Sequence, residues 1–150
     1  MTLRIAFQTS MREAAVGFLE ALRDDLTWPT NIRLQVYRAR PASVHPPTAF
    51  VDSISEEINY TGLNQRRPRA EIVVMHGLFD SGSAVDQRDW FVDSLIDYSF
   101  DHFHEADPNT EVAIVSVNDD PTFVPDWLPP AAQRTYYATR LTLEGLALSG

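Results

Sequence analysis

The chain is expected to fold as α+β: a single mixed, mostly antiparallel sheet with two helices packed on it, in the order helix, three strands, helix, two strands. Three observations lead there. Residues 71–76 (EIVVMH) and 112–117 (VAIVSV) are nearly continuous apolar runs, each the length of a strand covered on both faces. Residues 136–144 (YYATRLTLE) alternate instead, with Tyr137, Leu141 and Leu143 on one side and Tyr136, Arg140, Thr142 and Glu144 on the other. Two further stretches repeat apolar residues at helical spacing. Short connections between strands favour hairpins, hence antiparallel pairing.

Taken in order, Leu3, Phe7, Met11, Ala14, Phe18 and Leu22 form one apolar stripe and predict an opening helix. Ser10 with Glu13 makes a capping box, which would start that helix near residue 10. Pro29 ends the segment that follows. Ile32, Leu34 and Val36 alternate with Arg33, Gln35 and Tyr37 as a half-buried strand. Residues 38–47 (RARPASVHPP) are a loop, because Pro46 and Pro47 forbid both a helix start and a ladder. Residues 49–60 read as a second strand, although Phe50, Ile54 and Ile58 would also suit a helix. Residues 61–69 (TGLNQRRPR) read as the tip of a hairpin carrying Arg66, Arg67 and Arg69. After the central run 71–76, Ser83 with Asp86 is expected to cap a long helix to about His104.

Between the last two strands lies NDDPTFVPDWLPPAAQR, stiffened by Pro121, Pro125, Pro129 and Pro130. A loop so rich in proline cannot join a central strand. Phe123 and Trp127 have little core of its own in which to hide, so a docking arm is the expectation. The competing reading folds Trp127 back over its own subunit's sheet.

Composition narrows the class. The chain's 150 residues suit one domain, large enough to bury about 70% of the unfolded surface. Its 44% hydrophobic content is that of an ordinary globule, and no run approaches the roughly 18 apolar residues of a bilayer span. MTLRIAFQTSMRE is too polar for a signal peptide, so folding in a cytoplasm is expected. There is no cysteine, and all 12 basic residues are arginine. Disulfides, thiolate catalysis, a P-loop lysine and Schiff-base chemistry are thereby excluded. Charge is uneven: residues 1–70 hold nine Arg against seven acids, and residues 71–150 three Arg against fourteen. A net charge of −9 argues against ordinary phosphate-backbone binding. The asymmetry suits head-to-tail contact between copies.

Candidate chemistry is sparse. Asp89, Asp93, Asp97, Asp101 and Glu105 fall at strict four-residue steps on the second helix, opposite Val92, Leu95, Ser99 and Phe103. Like charges at that spacing cost about 0.2–0.5 kcal/mol per pair. The row reads first as a solvated face, next as a surface for a neighbouring subunit's arginines or a channel lining that must not hold DNA, and last as a divalent-cation site. His102 and His104 lie two apart and cannot share a helix face, while His45 and His76 read as surface or capping residues. HGLFDSGS (76–83) is superficially similar to the histidine–glycine turn of α/β-hydrolases, but no G-x-S-x-G elbow accompanies it. Asp80, Ser81 and Ser83 read as turn and cap residues. No catalytic residue, cofactor or metal is assigned.

Set in order, RPASVHPPTAFVDSISEEINYTG (40–62), VVMHGLFDSGSAVDQRDWFVD (73–93) and DDPTFVPDWLPPAAQRTYYATRLTLEG (119–145) resemble segments of the tail terminator, or tail-completion, proteins of long-tailed bacteriophages, particularly those of actinobacterial phages. The resemblance implies a six-membered homo-oligomeric ring that caps the head-proximal end of the tail tube and ends its polymerisation. It implies partners in the tail tube protein and in a head–tail connector or stopper, DNA passing through without specific binding, and a place in the virion after assembly in the host cytoplasm. It implies neither cofactor nor catalysis. Arg66, Arg67, Arg69, Phe123, Trp127 and Arg140 are the candidate contacts with neighbouring copies or the tube. Another head–tail joining component, a stopper or adaptor, is the alternative, followed by a small metal-dependent enzyme using the acidic helix.

Overall fold

The computed structural model describes residues 2–3, 10–59, 65–102, 112–145 and 147–148. A two-residue strand, β1 (Thr2–Leu3), precedes helix α1 (Met11–Asp25). Strands β2 (Gln35–Tyr37), β3 (Thr48–Asn59) and β4 (Gln65–Leu78) follow, then helix α2 (Gly82–His102). Strands β5 (Val112–Phe123) and β6 (Tyr136–Gly145) complete the main sheet, and β7 (Ala147–Leu148) pairs with β1. The five-stranded sheet runs β2-β3-β4-β6-β5, antiparallel throughout except for the short parallel pair β2–β3. It is the α+β arrangement expected, with both helices on one face.

Helix α1 begins where the capping box puts it. The Ser10 hydroxyl accepts the Glu13 amide at 3.1 Å, so the apolar stripe does not continue back through Leu3, whose backbone lies in β1; Phe7 falls outside the described residues. The buried face of α1 is Met11, Ala14, Ala15, Phe18, Leu19 and Leu22. Past its end, the Trp28 indole donates to the Leu22 carbonyl at 3.0 Å and packs on Trp90, 4.8 Å between centroids. Asn31 takes the left-handed conformation, φ 66°, which its short polar side chain tolerates in the turn leading to β2. Helix α2 starts at Gly82, one residue ahead of the expected Ser83 cap. Ser83 instead meets the Ser81 hydroxyl at 2.6 Å inside the first turn. Gly77 permits that turn's close approach, since a Cβ there would lie 3.1 Å from the Ala84 Cβ.

The two helices bury a single cluster against the sheet: Phe18, Leu19 and Leu22 from α1 and Phe91, Val92 and Leu95 from α2, over Val51, Ile72, Val74, Leu141 and Leu143. At about 25 cal/mol per Å² of apolar surface, this layer is the chief source of stability. Residues 71–76 are central as expected, with Ile72, Val73, Val74 and Met75 fully buried. Residues 112–117 are not central. They lie in the edge strand β5, where Val112 and Ala113 are buried but Val115, beside a register shift, is 49% exposed. The cause is downstream in the same strand: β5 runs on through Asp120 and Pro121 to Phe123, and a proline is tolerated only on an edge. The alternating strand β6 occupies the interior position instead.

Candidate interaction surfaces

The sheet face turned away from the helices carries Arg69, Phe123, Trp127 and Arg140 of the residues singled out as contacts, and it divides in two. One half is apolar: Phe50, Val73, Met75, Phe123, Tyr136 and Ala138 form a second buried cluster, with Tyr37, Val44 and Trp127 packed over it. The proline loop is the cover. Trp127 meets Phe50 edge-on at 5.2 Å, and its indole N–H donates to the Pro41 carbonyl at 2.7 Å. The Arg40 guanidinium lies 5.1 Å over the Trp127 ring, held there by Asp52 at 2.9 Å. Phe123 is only 7% exposed. The expectation of projecting aromatic rings is therefore corrected. Pro125, Pro129 and Pro130 stiffen the loop that lies against its own subunit, Pro121 belonging to β5, and the competing reading of Trp127 describes the fold.

The other half is polar and paired. Arg69 donates to Glu144 at 3.1 Å across β4 and β6. The Thr142 hydroxyl lies 3.1 Å from both carboxylate oxygens of Glu71. Arg140 donates to Asp120 at 2.8 Å, with its guanidinium 5.2 Å over the Phe123 ring. Arg69 and Arg140 thus have partners within the subunit, which lowers what either offers to a neighbour. Neither Glu144 nor Asp120 as their partners, nor Glu71 as the partner of Thr142, is legible in the sequence, because the pairings depend on strand register, which composition does not reveal.

Beyond Arg69 the sheet narrows. Pairing of β4 with β6 ends at Arg69 and Glu144, while β4 and β3 stay paired to Gln65 and Asn59. Strand β2 reaches only Thr48 to Phe50 of β3. Residues 56–59 and 65–68 therefore form a two-stranded ribbon with no further strand on either side among the described residues. The arginines lie on the arm of this hairpin, with its tip, 60–64, outside the described residues. The Arg66 side chain is likewise outside them. Arg67 is exposed, opposite Glu57 in the register, and pairs with no described residue.

Across the molecule, α2 presents its outer face. Asp89 is held by Arg88 at 2.9 Å, and Arg88 also bonds Asp119 at 2.6 Å, tying α2 to β5. Asp93, Asp97 and Asp101 are exposed and pair with no described cation, and Glu105 lies outside the described residues. Among these acids stand Ile96, 39% exposed, and Phe100, 71% exposed. Val92 and Leu95 are buried as the spacing predicts, together with Phe91; Ser99 is half-buried and donates to the Ile96 carbonyl at 2.8 Å, and Phe103 lies outside the described residues. The described residues contain no group of three or more acids or histidines close enough to hold a metal.

Among the described histidines, His76 does not take the surface or capping role expected of it. It is buried, with Nε2 2.7 Å from the Thr139 hydroxyl and its ring 5.3 Å from Phe91. Burial, with the nearby Arg88 charge, pushes its pKa down to about 4. The remaining ring nitrogen, Nδ1, has no hydrogen-bond partner among the described residues. Its place at the end of an apolar run was the signal available. Tyr98 similarly has its pKa raised to about 12 by burial and by its hydrogen bond to Asp25, a bond that joins the two helices.

No helix among the described residues is long and apolar enough to cross a membrane. Comparison with family models, with curated proteins and with solved structures gave no match.

Proposed function

We propose that this chain is a structural virion protein that assembles with copies of itself into a ring. The ring caps the head-proximal end of a bacteriophage tail tube, stops its polymerisation and offers the surface on which the head is joined. The observation that carries the reading is the overhanging ribbon of β3 and β4. A two-stranded ribbon has little stability of its own in water, and this one extends past β6 with an exposed arginine, Arg67, that pairs with no described residue. Such an element gains its order by lying on another surface. The resemblance of three segments to tail terminator proteins supports a neighbouring copy or the tube as the owner of that surface.

Charge supports the same reading. The chain's net −9 repels nucleic-acid phosphates, so DNA would pass a ring of such subunits without adhering. The tail tube protein and a head–tail connector or stopper are the partners this role requires. It needs no cofactor, no catalysis and no membrane.

Loss of the protein from an infecting phage tests the proposal. Tails of uncontrolled length, unjoined to filled heads, are expected. Tails of normal length that fail to join heads would move the assignment to a stopper or adaptor. Normal joined particles would refute both.

A further inference from the structure

We infer that the outer face of α2, centred on Phe100 and Asp97, is the docking site for the arginine-bearing ribbon of β3 and β4 from a second copy of this chain. The inference rests on the ring-forming reading above and names the two surfaces that would meet.

Three placements lead to it. First, Phe100 and Ile96 stand one turn apart on α2 and are exposed, while Phe91, Val92 and Leu95 fill the inner side of the same helix. An apolar pair in that setting is an anchor without a pocket. Second, Asp93, Asp97 and Asp101 run alongside that pair, exposed and unpaired with any described cation. An apolar centre with a charged margin is the anatomy of an interface, with the charges selecting the partner. Its partner must bring cations, and Arg67 is an exposed arginine with none of its own acids engaged among the described residues.

Third, the two surfaces cannot meet within one subunit. In β4 the side chains alternate regularly from Arg67 to Met75. Val73 and Met75 point into the cluster on the face away from the helices, and so Arg67 lies on that face as well. Helix α2 covers the other face. The contact is therefore between copies, and it joins two different patches. A contact of this kind is heterologous: it propagates head to tail and closes into a ring or runs on as a filament, whereas a two-fold dimer would need one patch to meet itself.

The test is a charge exchange read by sedimentation velocity, with the full-length chain alone and with tail tubes. Arg67→Glu and Asp97→Arg should each weaken self-association about tenfold or more, the scale of a desolvated charge contact. The two changes combined in one chain should restore it, since each ring contact then pairs the exchanged charges. Phe100→Ala should weaken association while leaving the thermal unfolding midpoint in place. Wild-type association that none of these variants alters would overturn the assigned contact and leave the ring reading standing; acids that line a lumen would give that result. A wild-type chain that never associates, alone or on tubes, would overturn both.

Discussion

The two faces of the sheet are built from the same strands but held by different means. Under the helices, every strand contributes aliphatic side chains to one cluster, and the chemistry is uniform from Val51 to Leu143. On the far face the same strands carry Phe50, Val73 and Met75 at one end, and Arg69, Glu71, Thr142 and Glu144 at the other. The apolar end is closed by a loop the chain supplies itself; the polar end is closed by ion pairs. A buried layer depends on volume and tolerates no charge, while a paired surface depends on register and tolerates much. The difference teaches where this molecule spends its stability and where it remains open to partners.

The comparison breaks first at the helix-covered face. Val74→Asp should cost on the order of 4 kcal/mol or more, because it places an unpaired carboxylate between β4 and the helices. Circular dichroism should then find little cooperative unfolding; a variant that melts like the wild type would mean the layer is wrongly drawn.

The next effect is pH dependence at the same layer. His76 holds a pKa of about 4 in the fold against 6.5 when unfolded. Between those values the unfolded chain binds the additional proton, so stability is full above pH 6.5 and declines as pH falls toward 4. The integrated loss is about 3 kcal/mol. Denaturant midpoints across pH 4–7 should show it, and His76→Leu should flatten the curve in that interval. An unchanged slope in the variant would place the titration elsewhere.

On the far face, Trp127→Ala should cost roughly 2 kcal/mol, less than the roughly 3–5 kcal/mol of a large aromatic in a core because the ring is half-buried. Phe100→Ala on α2, by contrast, should change stability by less than about 0.5 kcal/mol. Equal costs would erase the distinction between a ring used for folding and a ring left for docking. Smallest is the polar half: a double-mutant cycle on Arg69 and Glu144 should give a coupling of about 0.5–1 kcal/mol that shrinks in high salt. Zero coupling at low salt would remove the pair from the account.

Local rules carried much of the fold to the reader of the sequence. Ser10 and Glu13 mark the helix start because a cap is a contact three residues long. The alternation of Tyr136 to Glu144 assigns Leu141 and Leu143 to one face because a strand's period is fixed. What stayed hidden depends on contacts far apart in the chain. Trp127 finds its acceptor 86 positions away at Pro41, and Arg69 finds Glu144 75 positions away. No local pattern of prolines distinguishes an arm that projects from a loop that folds back. Of the candidate contacts, Arg67 is exposed and pairs with no described residue, Arg69 and Arg140 are engaged within the subunit, and Phe123 is interior.

Cryo-electron microscopy of the head-proximal end of the tail decides whether the chain forms a ring there. The proposal predicts a closed ring of copies of this chain on the last layer of the tube, with the sheet's ribbon reaching across each subunit boundary. Its absence from the tail end, or its presence there as separate subunits that do not touch one another, would contradict it.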